Sequence, residues 1–255
     1  MAKLTWTDPS GKKWTSGVDR GVIYKANPDG TYRHGVAWNG LVSVVEQSSG
    51  GDVTNHYADN RVYMQMVSAE DFKGMFSSFT PPEAFDECDG IVALLGGMRA
   101  SQQHKFTFGF CYRTKLYSAT KPIRHIGYRI HLVYCATSKI TSRSYKTSGP
   151  QVDDIIREWN FTTLPQQVVL GGVEYKHTAH VDLDSTEMSP ENWKKLEDIL
   201  YGDANNNARL PSIEEIYTTL AELWYILIPN ECGETCHFLR PYHLIPNECG
   251  ETASL

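Results

Sequence analysis

Through the middle of the chain, apolar residues recur at every second position. Phe106, Phe108, Phe110 and Tyr112 alternate with Lys105, Thr107, Cys111 and Arg113. Tyr128, Ile130, Leu132 and Tyr134 alternate with Arg129, His131 and Val133. Ile155, Arg157, Trp159 and Phe161 share a third parity, and Val173, Tyr175, His177, Ala179, Val181 and Leu183 a fourth, opposed by Glu174, Lys176, Thr178, His180 and Asp182. A period of two predicts half-buried antiparallel strands. Residues 36–45, with Val36, Trp38, Val42 and Val44 in phase, and residues 60–67 read as further strands. Residues 1–35 carry Gly, Pro and Asp clusters that predict turns around short strands, and Ser48-Ser49-Gly50-Gly51 predicts a flexible loop over 47–52. The stretches 116–126 and 137–153 read as long connections, which in compact domains are functional or mobile.

Three segments change to a helical period. Ser68-Ala69-Glu70-Asp71 resembles a helix start, and Phe72, Met75, Phe76 and Phe79 follow as one stripe up to Thr80-Pro81-Pro82. Ser189-Pro190-Glu191 supplies an N-cap and a proline at the first helical position, with Trp193, Leu196, Ile199 and Leu200 as stripe and Gly202 as C-cap. Ser212-Ile213-Glu214-Glu215 is a capping box for a third helix, whose apolar positions Ile216, Leu220, Leu223, Trp224 and Leu227 run to Pro229. The expected fold class is α+β: about eight strands in an antiparallel sandwich or barrel with two or three flanking helices. Leu-Ile-Pro-Asn-Glu-Cys-Gly-Glu-Thr occurs at 227–235 and again, unchanged, at 244–252. Two copies of so short a unit build no core, so the expected division is a domain over 1–227 and an appendage over 228–255.

Composition narrows the class. The 255 residues are 41% hydrophobic, enough for a packed core. No apolar run reaches membrane-spanning length and the first residues lack a secretory signal. A soluble chain of the cytoplasm is therefore expected, its six cysteines (88, 111, 135, 232, 236 and 249) kept as thiols. The net charge of −6 hides an asymmetry. Residues 90–152 hold ten basic residues and no acidic one, a charge of +10 against −16 for the rest. Such a block can neutralise phosphates, face an acidic surface of another copy, or intermix with acids within the fold. The alternative function, a nucleic-acid-binding β domain, uses this block from Arg99 to Lys146 with Phe106, Phe108, Tyr112 and Tyr128.

Nucleophile elbows, phosphate loops, dinucleotide fingerprints and His-Glu-x-x-His are absent from the sequence. His180, Asp182 and Asp184 share a strand face and are of the type that holds a hard cation. Polar residues on one strand face are more commonly plain solvated surface. Cys232, Cys236, His237, His243 and Cys249 are zinc-ligand types at a spacing that fits no common finger. Asp86-Glu87-Cys88-Asp89 reads as a solvated acidic loop. No catalytic residue, metal or cofactor is expected.

The order of segments is more specific than any one of them. Trp38-Asn39-Gly40-Leu41-Val42-Ser43-Val44 is followed by Tyr57-Ala58-Asp59-Asn60, Ser68-Ala69-Glu70-Asp71-Phe72, Pro82-Glu83-Ala84-Phe85 and Glu87-Cys88-Asp89-Gly90. Then come Phe108-Gly109-Phe110-Cys111-Tyr112-Arg113-Thr114, Gly127-Tyr128-Arg129-Ile130-His131-Leu132-Val133-Tyr134 and Leu196-Glu197-Asp198-Ile199-Leu200-Tyr201-Gly202. From about residue 18 to about residue 220 this series resembles the major tail (tail tube) proteins of long-tailed bacteriophages and prophages of Gram-positive hosts. The resemblance implies a non-enzymatic virion protein with a β-sandwich-like subunit. Such subunits form rings, typically of six copies, that stack into the conduit for genome delivery. It implies assembly in the host bacterial cytoplasm and residence in the virion tail. The implied partners are further copies of itself and other tail proteins (tape measure, terminator, distal tail protein), with DNA passing unbound and no membrane contact. Residues after about 220 have no counterpart in the family. On this reading the basic residues Arg113, Lys115, Lys121, Arg124, Arg143 and Lys146 of one copy face acids of the next, among them Asp182, Asp184 and Glu187.

Overall fold

The computed structural model describes residues 12–142, 145, 147, 155–221, 225–229, 235–239 and 243–244, with backbone alone at 121–124, 142, 176–177, 221 and every described position beyond. In chain order the elements are β1 (Lys13–Lys25), β2 (Val36–Trp38), β3 (Leu41–Gly50), β4 (Val53–Ala58), β5 (Arg61–Val67), β6 (Glu70–Ser78), α1 (Glu83–Asp86), β7 (Val92–Ala93) and β8 (Arg99–Ala100). There follow β9 (Phe108–Ser118), β10 (Lys121–Ser142), β11 (Arg157–Thr163), β12 (Gln166–Leu170), β13 (Val173–Thr178), β14 (His180–Asp184), α2 (Pro190–Tyr201) and α3 (Ile213–Ala221). β15 (Tyr225–Pro229), β16 (Thr235–Leu239) and β17 (His243–Leu244) form a sheet of their own. The fold is α+β and mostly antiparallel strand, as the alternation predicts. Among the described residues no helix is long and apolar enough to cross a membrane.

The main sheet has the order β2-β1-β9-β10-β11-β6-β3, with β14 paired to β10 as well. It curls, bringing β3 from one end of the order against β1 near the other. Inside the curl lies an aromatic core of Trp38, Phe76, Phe85, Phe108, Phe110, Trp159 and Phe161. Trp38 meets Phe76 edge-on at 5.1 Å between ring centres, and Phe76 stacks on Trp159 at 5.5 Å. Fully burying a side chain of this size contributes about 1.5–3 kcal/mol. The indole N–H of Trp38 donates to Ser78 Oγ at 2.8 Å, so its polar edge is satisfied.

A second core covers the outer face. Val22, Tyr24, Cys111, Ile130, Leu132 and Tyr134 pack beneath Leu196 and Leu200 of α2 and Ile213 and Ile216 of α3. Tyr24 OH donates to the Leu200 carbonyl at 2.5 Å and Tyr134 OH to that of Pro211 at 3.0 Å, which ties the helices to the sheet. A bulge at Cys135 (φ 48°) shifts the β9–β10 register, so that Val133 and Ala136, of opposite parity, both face the inner core. Both helix starts are capped as expected: Ser189 Oγ accepts from Asn192 N at 3.2 Å, and Ser212 Oγ from Glu215 N at 3.1 Å.

Several expectations are corrected. Residues 70–78 are strand β6, not a helix. Phe72 and Phe76 satisfy a spacing of four and a spacing of two equally, and pairing with β3 and β11 selects the strand. The expected loop at 47–52 is largely the end of β3, where Ser48 and Ser49 pair with Phe72 and Asp71. The expected strand over 36–45 is two strands separated at Asn39-Gly40, where Gly40 takes φ +80°. Before it, β1 is one long bulged strand rather than several short ones. The segment 116–126 forms a tight hairpin, Lys121 opposite Ser118, and 137–142 continues β10. The third helix ends by Ala221, its expected positions Leu223 and Trp224 lie outside the described residues, and Leu227 is in β15. The central strands are also buried on both faces: Cys111 and Arg113, assigned to the polar side, are covered by α2.

β4 and β5 differ from everything else. Beyond the bend at Gly50-Gly51, the β3–β6 pair continues as a two-stranded arm in which every residue is exposed. Val53, Tyr57, Val62, Tyr63, Met64, Met66 and Val67 all show large apolar side chains to solvent.

Candidate functional site

The β9–β10–β14 ladder sets His131 directly opposite Tyr112 on one side and Asp182 on the other. His180 lies two residues before Asp182 on the same strand face. The four rings of Tyr112, His131, His180 and Phe72 form one stack: Tyr112 on His131 at 4.5 Å, His131 on His180 at 6.0 Å and His180 on Phe72 at 4.5 Å, all within 12° of parallel. Glu46, entering from β3, lies alongside.

Two carboxylates and two imidazoles therefore share one spot. His131 Nδ1 is 2.6 Å from Asp182 Oδ1 and 3.7 Å from Glu46 Oε1. His180 Nε2 is 3.1 Å from each of the same two oxygens. Tyr112 OH donates to Glu46, and the other nitrogen of His131, Nε2, lies 3.0 Å from Thr114 Oγ1. Burial works against charge on both acids, but contacts with His180, Tyr112 and His131 outweigh it for Glu46, whose carboxyl is held below its usual range. Asp182 is pulled well below its range against the same burial by His131 and His180. Burial also opposes protonation of His180, yet Asp182 and Glu46 push its imidazole up to about 9. Burial and the Glu46 contact raise Tyr112, so it remains a donor.

Of the residues singled out in the sequence, His180 and Asp182 fall in this cluster, whereas Asp184 does not. Asp184 accepts from Thr186 and pairs with Lys13 at 3.3 Å and Arg129 at 3.4 Å. Glu187 is bridged by the same Lys13 at 3.0 Å. Arg113 is taken up within its own chain by Asp19 and Glu197 and lies over the Tyr128 ring at 3.9 Å. Lys115 is exposed. Lys121 and Arg124 are described by backbone alone, and Arg143 and Lys146 lie outside the described residues. Cys232 and Cys249 lie outside them too, and the side chains of Cys236, His237 and His243 are among those not described.

The basic block is thus partly neutralised internally, Arg99 by Glu83 and Asp86, and Lys105 near Asp89 at 3.8 Å. The acidic segment 86–89 is not the solvated loop expected: Cys88 and Asp89 are buried, and Cys88 is pushed up to about 12 by that burial. Phe108 and Tyr112 are buried at 0% and 3% exposure, so they offer no stacking surface to bases. Glu46, His131 and Thr114 were not singled out by sequence reasoning, and Tyr112 was singled out only as a stacking residue for nucleic acid. The available signal was His131 itself, a histidine between Arg129 and Val133 on a strand whose other face carries Tyr128, Ile130, Leu132 and Tyr134.

No protein-family model matches the chain, and no curated protein matches it. Among solved structures, the sheath/tube terminator of an extracellular contractile injection system is similar at 12% identity and a TM-score of 0.31, over 64% of this chain and 93% of that one. The sheath-tube complex of such a system is similar at 12% identity and a TM-score of 0.26, over 65% and 88%. Scores at this level carry no argument about fold or function.

Proposed function

We propose that this protein is a structural subunit that assembles with copies of itself into rings, six to a ring, stacked as the tail tube of a bacteriophage-like particle. The observation that carries the reading is the β4–β5 arm. A two-stranded hairpin is at best marginally stable in water, and this one exposes seven large apolar side chains with no core of its own. The outer edges of β4 and β5 pair with nothing among the described residues, which leaves hydrogen-bonding groups for a neighbouring copy. The ordered segment resemblance agrees with a homo-oligomer of this type. On this reading the arm inserts against the next subunit, and Lys115 and Glu187, which is largely exposed although paired with Lys13, serve that contact better than Arg113 or Asp184, whose side chains are buried within the chain. Residues 228–255 are an appendage to the domain over 1–227, with no assigned role in the tube. The product is a virion tail component assembled in a bacterial cytoplasm, joined by terminator and tape-measure proteins, that lets DNA pass without binding it.

The test is to concentrate the purified chain and image it by negative-stain electron microscopy, with sedimentation velocity in parallel. Rings or tubes support the proposal. A monomer at every concentration, together with salt-sensitive DNA binding, overturns it.

A further inference from the structure

We infer that Glu46, His131 and His180, with Asp182 beside them, form a binding site for a divalent transition-metal cation of the zinc type. One ligand atom from each of the first three lies within 4.8 Å of the other two. Asp182 Oδ1 lies 2.6 Å and 3.1 Å from the two imidazole nitrogens. Around a tetrahedral ion with bonds of about 2.0–2.1 Å, ligand atoms stand about 3.3 Å apart. Four of the six ligand-to-ligand distances, the nitrogen–oxygen ones at 2.6, 3.1, 3.1 and 3.7 Å, bracket that value. The two imidazole planes, within 12° of parallel and 6.0 Å apart at their centres, must tilt toward each other to aim both nitrogens at one ion.

A second observation points the same way. His131 is 8% exposed, and His131 Nδ1 and His180 Nε2 are buried nitrogens that complete no directional hydrogen bond although carboxylate oxygens adjoin them. Buried polar atoms without a hydrogen bond are uncommon and call for a cause; a cation between the nitrogens and the carboxylates supplies one. The supporting contacts are those of a built site. Thr114 Oγ1 at 3.0 Å can accept the Nε2 proton of His131 and leave Nδ1 as ligand, and Tyr112 OH holds Glu46. Mixed imidazole and carboxylate ligands suit Zn2+, whereas Ca2+ and Mg2+ prefer oxygen alone. Asp182 also lines an open cleft of about 440 Å³ with Arg129, Asp184 and Glu187. The ion would join β3, β10 and β14, strands far apart in the chain.

The experiment uses the full chain with Cys232, Cys236 and Cys249 changed to Ser, which removes the C-terminal thiols as rival ligands. After dialysis against chelator, Zn2+ is titrated by calorimetry and bound metal is counted. One tight equivalent is expected, with Zn2+ raising Tm. His180→Gln and Glu46→Gln should each abolish that equivalent, and Thr114→Val should weaken it roughly 10–100-fold. Circular dichroism checks that each variant is folded. Co2+ loaded into the unsubstituted cluster gives an independent reading: tetrahedral d–d bands without a thiolate charge-transfer band are expected. No tight equivalent in the parent chain, or an equivalent that survives both substitutions, overturns the assignment.

Discussion

Arg113 holds Asp19 through two parallel hydrogen bonds, Nε to Oδ1 at 2.8 Å and Nη2 to Oδ2 at 3.0 Å, from adjacent strands β9 and β1. The Arg113 side chain is only 8% exposed, so the pair neutralises a cation taken largely out of water. Glu197 of α2 adds a weaker contact at 3.5 Å. The bidentate geometry locks strand, strand and helix at one point.

Asp19→Asn should therefore destabilise the fold by about 1.5–3 kcal/mol at neutral pH, the range for hydrogen bonds to a charged group. The guanidinium beside Asp19 lowers its carboxyl pKa on folding. A lowered carboxylate adds stability that is fully present above its unfolded value of about 3.9 and is lost as pH falls through the folded one. Urea unfolding at pH 7 and pH 3 should show the deficit of the variant shrinking at the lower pH. A deficit that is equal at both would contradict the pairing.

Gly74 is required by the way β6 is sandwiched. A Cβ there would lie 2.4 Å from Phe161 Cζ and 2.5 Å from the Val45 carbonyl oxygen. Since the second is backbone, Gly74→Ala should cost at least the 1–3 kcal/mol typical of overpacking. Equilibrium denaturation measures it, and a neutral result would mean that β6 does not pack as described.

Phe76 touches Trp38, Phe85, Phe108, Phe110, Trp159 and Phe161. Phe76→Ala removes the hub of the inner core, and a loss of about 3–5 kcal/mol is expected. Phe79→Ala, three residues on and 45% exposed, should change stability by less than about 0.5 kcal/mol. The contrast separates a strand from the helical stripe, in which both would be core.

The arm should behave in the opposite way. Tyr57→Ser with Tyr63→Ser removes two large side chains that are 70% and 71% exposed, so Tm should move little. Ring or tube formation should be lost. Because the proposed contact is mainly apolar, assembly of the parent chain should persist near 0.5 M salt, where screening lengths shrink to a few ångströms. Dissolution of assemblies at that salt would instead assign the contact to charge.

Much of this molecule was legible in the chain itself. Alternation at 106–112 and 128–134 marked the central strands, and Ser189-Pro190 and Ser212 marked two helix starts, because period and capping are local properties. What tertiary structure decided was everything that depends on which neighbour a strand finds. Phe72 and Phe76 fit a helix as well as a strand until β3 and β11 supply backbone partners for β6. Cys111 and Arg113 read as a solvent face until α2 covers them. The cluster at His131 joins residues from β3, β9, β10 and β14, up to 136 positions apart between Glu46 and Asp182. No local rule couples such distant residues; only sheet register and the curl of the sheet bring them to one point.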